Sequence, residues 1–588
     1  MAPISLLSLS LSLLTLTPPS LASAIRQGAA NPPKIPHGPN GTGAGESQAQ
    51  LYAPQPALLA TEWTASVGSD PSKHWAQHPR PQLKRDDKWW QSLNGIWRYQ
   101  NAHFASSAWL NTDLESITPE VKVGGVEGYD GGADGGVIEE KETLIPSCIE
   151  SGFSGLAETN VTGMYFKRTL EIPDEWVNET GRRVLIHFEA VDYEAMVHVN
   201  DHKLGHNMLR LIWEEKSQVT MTLHSNSNAT TPVKVSILEG GTEVATHDGS
   251  SNQEFSFQVP DPKLWSPDSP TLYNISVTMG DDQITSYTGF RTVSKGVVNG
   301  IQRPLLNGKF VFQFGPLDQG YWPDGIYLPP TEEAMLYDLD LIKSVGMNMV
   351  RKHIKVEPQL YYHACDKLGL LVIQDMPSMR PAASLANDFP TPVQQAEFER
   401  QLSVMVQQFK HHPSIVTWVI YNEGWGQTHD DGNYPEFHIT DTIRALDPTR
   451  LIDSVTGWFD HGAGDFQDNH HYASPQCGTP WHSSPNTPYD PNRIGFQGEF
   501  GGVGHVPDAK NLWPDPAAVA TIPETYELAA DLDAYNYRTH VLLGELRDQV
   551  ERYACSGAVY TQTTDVEGEV NGLWYATHVS GLHQASKT

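Results

Sequence analysis

The sequence predicts a multidomain chain in which two N-terminal β-sandwiches precede a (β/α)8 barrel, and three observations predict it. Its 588 residues suffice for about four domains at roughly 150 residues each. Between Trp89 and Val293 apolar residues recur at every second position in short runs, the period of half-exposed strands. After residue 300, strand-like runs alternate with helix-like ones, eight strands in about 280 residues.

Taken in order, Leu6 to Leu16 is a short Leu-rich run, followed by the small-x-small pattern Ala22-Ser23-Ala24. Residues 1–24 therefore read as a secretory leader, although the first residues carry no basic side chain. Residues 25–85, rich in Pro, Gly, Gln and Ser, read as an extended lead-in. The first sandwich is expected over 86–210, with strands at Val184-Leu-Ile-His-Phe-Glu-Ala and Ala195-Met-Val-His-Val-Asn and a Gly/Glu/Asp-rich loop from Gly124 to Gly136. The second is expected over 211–295, on Val219-Thr-Met-Thr-Leu, Val233-Lys-Val-Ser-Ile, Phe255-Ser-Phe-Gln-Val and Tyr273-Asn-Ile-Ser-Val.

The barrel is expected over 300–588. Its strands begin at Val311, Met347, Leu370, Ile415, Leu451, Asp465, Ile494 and Gly557. One helix puts Leu336, Leu339, Ile342 and Val345 on a stripe and stops at Gly346; another starts at Pro358 and stops at Gly369. A doubly wound sheet is the competing fold. It would want a glycine-rich phosphate loop after the first strand, where the chain reads Gly315-Pro-Leu-Asp-Gln-Gly.

Composition narrows the function. Lys plus Arg number 39 against 70 Asp plus Glu, a net charge of −31 that disfavours nucleic acid and anionic membranes as partners. The 16 Trp supply flat rings of the kind that stack on sugars. Sequons start at Asn40, Asn160, Asn178, Asn228 and Asn274, which suits a secreted glycoprotein. Cys148, Cys365, Cys477 and Cys555 allow three pairings, and spacing does not choose among them.

Two carboxylates stand where a barrel places its chemistry. The strand Ile415-Val-Thr-Trp-Val-Ile-Tyr runs into Asn422-Glu423-Gly424-Trp425-Gly426, and Ile494-Gly-Phe-Gln-Gly runs into Glu499-Phe500-Gly501-Gly502. A Glu directly after a buried strand and before glycines points into the mouth. Hydrolysis of a glycoside needs such a pair, one to protonate the leaving oxygen and one to meet the developing oxocarbenium ion. The same Asn-Glu dipeptide at Asn178-Glu179 lacks the preceding strand and carries no role. Trp425 is the favoured stacking platform.

Several segments together resemble glycoside hydrolase family 2, the β-galactosidases, β-glucuronidases and β-mannosidases. They are Gly346-Met-Asn-Met-Val-Arg-Lys-His-Ile-Lys-Val-Glu-Pro, His412-Pro-Ser-Ile through Asn-Glu-Gly-Trp-Gly, Gly498-Glu-Phe-Gly-Gly, and Tyr560-Thr-Gln-Thr-Thr-Asp-Val-Glu-Gly-Glu-Val-Asn-Gly. Trp90-Gln-Ser-Leu-Asn-Gly-Ile-Trp resembles the family's jelly-roll sugar-binding sandwich, and Pro262-Lys-Leu-Trp-Ser-Pro resembles the end of its immunoglobulin-like domain. The resemblance covers residues 85 to 575. It implies Glu423 as acid/base, Glu499 as nucleophile and Asn422 on the sugar 2-hydroxyl. It also implies Arg351 as the brace of the nucleophile and Tyr472 as its hydrogen-bond donor, with carboxyls about 5–5.5 Å apart for a retaining mechanism.

The chain also departs from the family. Asn207-Met-Leu-Arg-Leu-Ile-Trp leads almost at once into the second sandwich, which would leave a strand edge unpaired. Asn571-Gly572-Leu573 lacks the lysine that glucuronidases carry in Asn-x-Lys, which disfavours a carboxylated sugar, and Asp375-Met-Pro-Ser-Met does not reproduce the magnesium site of some family β-galactosidases. No cofactor and no required metal are expected; His411-His412 and His470-His471 match no metal-ligand spacing. Ser154 has Leu156 where a nucleophile elbow needs glycine. The expected function is a retaining exo-β-glycosidase, β-galactosidase-like, acting on a carbohydrate outside the cell. The rival is a catalytically inactive carbohydrate-binding protein on a degraded fold.

Overall fold

The computed structural model describes residues 7–14, 51–101, 121–122, 125–126, 141–161, 163–177, 184–189, 194–199, 202–203, 218–223, 230–379, 390–428, 434–480 and 488–575. The cleavage pattern at 22–24, most of the Gly124–Gly136 loop, the junction at Asn207 and residues 576–588 lie outside them. The chain forms two compact units, Met1–Ala57 with Ala65–Ala76 and Leu93–Asn207, and Leu58–Thr64 with Gln77–Ser92 and Met208–Thr588.

The first unit holds an antiparallel sheet in the order Lys141–Ile145, Gly95–Asn101, Gly163–Leu170, Leu7–Leu14, Glu194–Val199, His202–Lys203. Trp97, Tyr99, Met164 and Phe166 form its core. Residues 184–189 are not in a ladder, contrary to expectation. The alternation survives from residue 185 on, with Ile186 and Phe188 packed on that core and Leu185 and His187 exposed, but Val184, expected inside, faces solvent. Alternate burial needs only an apolar surface beneath, whereas a strand also needs a neighbour's backbone. Leu7–Leu14, within the expected leader, also has the Leu/Ser alternation of a strand over residues 7–13 and pairs between Gly163–Leu170 and Glu194–Val199.

In the second unit a sandwich precedes the barrel. One sheet runs Thr242–Ser250, Pro232–Glu239, Tyr273–Met279, Asp282–Thr288, Lys84–Arg85, and Gln218–Thr222 pairs with Glu254–Gln258. Val219, Met221, Val235, Ile237, Ile275 and Val277 alternate into the core between them. The ribbon of Val293–Val298 and Ile301–Leu306 follows, and its Val293 and Leu306 join the barrel core.

The barrel strands are β1 Gln313–Asp318, β2 Met349–Lys352, β3 Leu371–Asp375, β4 Ile415–Asn422, β5 Leu451–Thr456, β6 Phe466–His470, β7 Ile494–Gly501 and β8 Cys555–Thr561. They pair in parallel in the order β5-β4-β3-β2-β1-β8-β7-β6, and β5 and β6 lie side by side without a ladder among the described residues. Gly315, which the doubly wound reading would need in a phosphate loop, lies inside β1. A Cβ there would meet the Met349 carbonyl oxygen of β2, so glycine permits the close pairing.

Helices follow β1 to β4 and precede β8: α1 Glu332–Ser344, α2 Gln359–Leu368, α3 Pro392–Phe409, α4 Pro435–Leu446 and α5 Leu532–Arg552. Thr331 caps α1 by accepting from the Ala334 N–H, and Thr391 with Gln394 forms a capping box on α3. Leu339 and Ile342 of the expected stripe are buried, but Val345 is exposed because the helix has ended by then. The β5–β6 connection, 457–465, is a loop without a helix. Cys477 and Cys555 form a disulfide that ties the β6–β7 connection to the start of β8, which settles the pairing of these two cysteines. No described helix is long and apolar enough to cross a membrane.

Candidate active site

Every residue of β2, β4, β5 and β7 is buried, so strand alternation sends half of their side chains into the barrel interior and the last ones to its mouth. Arg351, 1% exposed, stands at the centre. Its Nε and Nη2 donate to the two oxygens of Asp375 on β3, at 3.1 and 2.9 Å. Nη2 also donates to Asn422 Oδ1 at 2.9 Å, and Nη1 to Glu499 Oε1 at 3.2 Å and the Gly498 carbonyl at 3.1 Å. Burial works against the charge, but Asp375 and Glu499 hold the guanidinium above its ordinary range. Asp375 is likewise held below the usual carboxylate range, Arg351 and His353 outweighing burial. Both Asp375 oxygens are thereby engaged by protein.

Glu423 follows β4 with φ +50, a left-handed conformation that non-glycine side chains rarely adopt, and Gly424 follows at φ +72. Its N–H donates to the Thr456 carbonyl of β5. Burial pushes the Glu423 carboxyl up, against the smaller opposing effects of Arg351 and His353. Glu499 has one oxygen on Arg351, and its other accepts from the Tyr472 hydroxyl. Burial, helped by the Glu499 charge, raises the Tyr472 phenol and keeps it a neutral donor. The Tyr472 ring stacks on Tyr526 at 3.7 Å. Donor atoms of Glu423, Glu499 and His470 all lie within 4.8 Å of one another. This is the one grouping among the described residues close enough to ligate a cation, and its members already bond one another, Arg351 and Tyr472.

Asn422 Oδ1 accepts from Arg351 Nη2 and from Thr456 Oγ1 at 3.0 Å. With the oxygen so engaged, its amide N–H2 is the group left to donate toward a ligand in the mouth. Trp425 lies half-buried on the turn after β4. The structure therefore brings together Arg351, Asn422, Glu423, Tyr472 and Glu499, with Trp425 at the rim.

Four participants were missed. In the sequence His470 reads only as half of a His-His pair, yet it ends β6 and reaches Glu423 Oε1 at 2.8 Å. Asp375 ends β3, and position at a strand end was the available signal for both. Thr456 and Tyr526 carried no such signal. Beneath Arg351, Asp453 and Asp468 face each other on β5 and β6, both raised by burial, around a small internal cavity.

Residues 330–474 match the family description "Glycosyl hydrolases family 2, TIM barrel domain", and residues 198–291 match "Glycosyl hydrolases family 2". A "Putative beta-glucuronidase" of Formosa agariphila is 30% identical over 231 residues, 38% of this chain and 21% of that protein. A "Beta-galactosidase" of Yersinia enterocolitica is 33% identical over 210 residues, 34% of this chain and 18% of that one. The matched stretches thus span about a fifth of those relatives. A solved β-galacturonidase of Eisenbergiella tayi shares 19% identity, with a TM-score of 0.48 over 73% of this chain and 79% of that one. One family matches both the second sandwich and the barrel, in the order the fold displays them, and over those residues the chain is similar to glycoside hydrolase family 2.

Proposed function

We propose that this protein is a retaining exo-β-glycosidase that hydrolyses O-glycosidic bonds by double displacement, and that its substrate is a neutral sugar of the β-galactoside type. The observation that carries the reading is the pair itself. Two carboxylates from opposite sides of one barrel mouth approach within 4.8 Å and have been made unlike: one raised by burial, the other bonded by Arg351 and Tyr472.

In the first step a Glu499 oxygen attacks C1 while Glu423 gives its proton to the leaving oxygen, so the aglycone departs neutral and the sugar is esterified to Glu499. In the second, the Glu423 carboxylate takes a proton from water as the water oxygen attacks C1. This breaks the ester and restores both groups. The Asn422 amide N–H2 suits a contact with the sugar 2-oxygen that tightens as charge develops at C1.

The neutral-sugar preference rests on Asn571 and Leu573. Asn571 Oδ1 accepts from Gln562 at 2.9 Å and its amide donates to Glu569 at 3.0 Å, while Leu573 is buried. Neither offers a cation to a sugar carboxylate. A secreted location rests on the leader composition and on Asn160 and Asn274, both exposed as a glycan requires. N-terminal sequencing of the secreted product tests it. A chain beginning after Ala24 supports the leader, and one retaining Leu7–Leu14 supports the strand in its place.

Purified protein assayed on nitrophenyl α- and β-glycosides, with Glu499→Ala in parallel, tests the activity. Turnover of one neutral β-glycoside, lost by about 10⁴-fold in the variant, is expected. Silence across the panel from a folded protein would favour a carbohydrate-binding role.

A further inference from the structure

The glycosidase reading leaves His470 without a task, although its side chain is fully enclosed at the mouth. Its Nδ1 lies 2.8 Å from Glu423 Oε1 and 3.6 Å from Glu499 Oε1. Its Nε2 lies 3.5 Å from Arg351 Nη1 and 3.7 Å from Asp468 Oδ1. The ring rests against Gly457 of the β5–β6 loop, at φ +69, where a Cβ would come within 2.6 Å of it. Backbone has been shaped to admit this imidazole.

The tautomer follows from the nearer neighbour of Nε2. Arg351 Nη1 can only donate and lies closer to Nε2 than the Asp468 oxygen does, so the lone pair is assigned to Nε2 and the ring hydrogen to Nδ1, aimed at Glu423. Burial holds the ring neutral, at about 3, with Glu499 and Asp375 on one side and Arg351 and His353 on the other as the charges around it.

Resting on the glycosidase reading, we propose that His470 is a positioning residue that sets the acid strength of Glu423 by donating its Nδ1 hydrogen to the oxygen that loses charge balance when the leaving group is protonated. Before the step this bond is to a neutral carboxyl and is weak. After Glu423 has passed its proton to the leaving oxygen, the same N–H bonds a carboxylate and strengthens, so it favours the transition state over the ground state. No proton leaves His470; it changes only how readily Glu423 gives one. The arrangement also explains how a carboxyl raised by burial can remain acidic enough to protonate an alkoxide-like oxygen.

Two variants separate the ring's two ends. His470→Gln carries an amide to the Nε2 position and keeps an acceptor for Arg351 but removes the Nδ1 donor; His470→Asn carries its amide to the Nδ1 position. The experiment is kcat/KM for aryl β-glycosides of graded leaving-group pKa, with pH profiles and thermal melts for the wild type and both variants. In His470→Gln, the poorest leaving groups are expected to lose about tenfold to a hundredfold, the span of one hydrogen bond to a charged group, while dinitrophenyl substrates lose little. The alkaline limb of its profile should move to higher pH, because a carboxyl deprived of a donor is the weaker acid. His470→Asn should restore most of the leaving-group response. A merely structural role would lower all substrates together and leave the alkaline limb in place. An active wild type with the same leaving-group dependence in His470→Gln would overturn this inference alone. A wild type active on no glycoside would overturn the glycosidase reading and the inference with it.

Discussion

Both ends of the barrel hold buried charges and use them in opposite ways. At the base, where strands begin, Asp366 of α2 accepts from Tyr287 at 2.8 Å and from the Ser414 N–H at 2.9 Å and pairs with His412 at 2.7 Å. Arg291 and Arg450 there donate to the carbonyls of Pro413, Thr449, Ile415 and His412. These charges are answered largely by backbone whose position the fold has already decided. At the mouth, Arg351 is shared among carboxylate, amide and carbonyl groups from several strands, Glu423 sits in a left-handed conformation, and the carboxylate pair converges on one space. Burial and charge alone therefore do not mark a site. Unlike carboxylates that converge from separate strands do.

Matched substitutions should break this comparison if it is wrong. Arg351→Met at the mouth leaves Asp375 and Glu499 buried without their guanidinium partner. It should abolish measurable turnover and also cost about 3–5 kcal/mol of stability. Asp366→Ala at the base should cost a similar amount in a denaturant melt, through stranded His412 and Tyr287, while the folded fraction, counted with a covalent active-site inhibitor, keeps its kcat. Loss of kcat per folded Asp366→Ala molecule would mean that the two ends are coupled.

A further effect, confined to stability, sharpens the contrast by pH. Asp565, just past β8, accepts from the Gly572 N–H, and burial raises it to about 8. A carboxyl raised on folding binds its proton more tightly in the native state than in the unfolded one. It therefore contributes stability that is complete below the unfolded value near 4 and is lost as pH rises toward 8. Each unit in that window removes about 1.4 kcal/mol. Asp565→Asn, a neutral stand-in for the protonated form, should flatten this decline and be the more stable protein at pH 8, as melts at pH 5 and 8 would register.

Much of this was legible in the chain. The period of two in 232–239 and 273–279, the stops at Gly346 and Gly369, and the apolar runs of β4 and β7 ending in Glu423 and Glu499 are local signals, produced by the alternation of buried and exposed positions and by backbone conformations that glycine tolerates. Periodicity reports which side of a segment is buried without reporting a partner. For that reason 185–189 kept its alternation and not its ladder, while Leu7–Leu14 fitted both a leader and a strand.

Tertiary structure alone decided the rest. The engagement of both Asp375 oxygens by Arg351 and His353, the room that Gly457 of the preceding loop leaves for His470 beside Glu423, and the bond from Tyr472 to Glu499 join residues far apart in the chain. A strand's sequence determines that its last side chain reaches the mouth. Which charges it meets there depends on how eight strands are staggered around the ring, and that stagger belongs to no single segment.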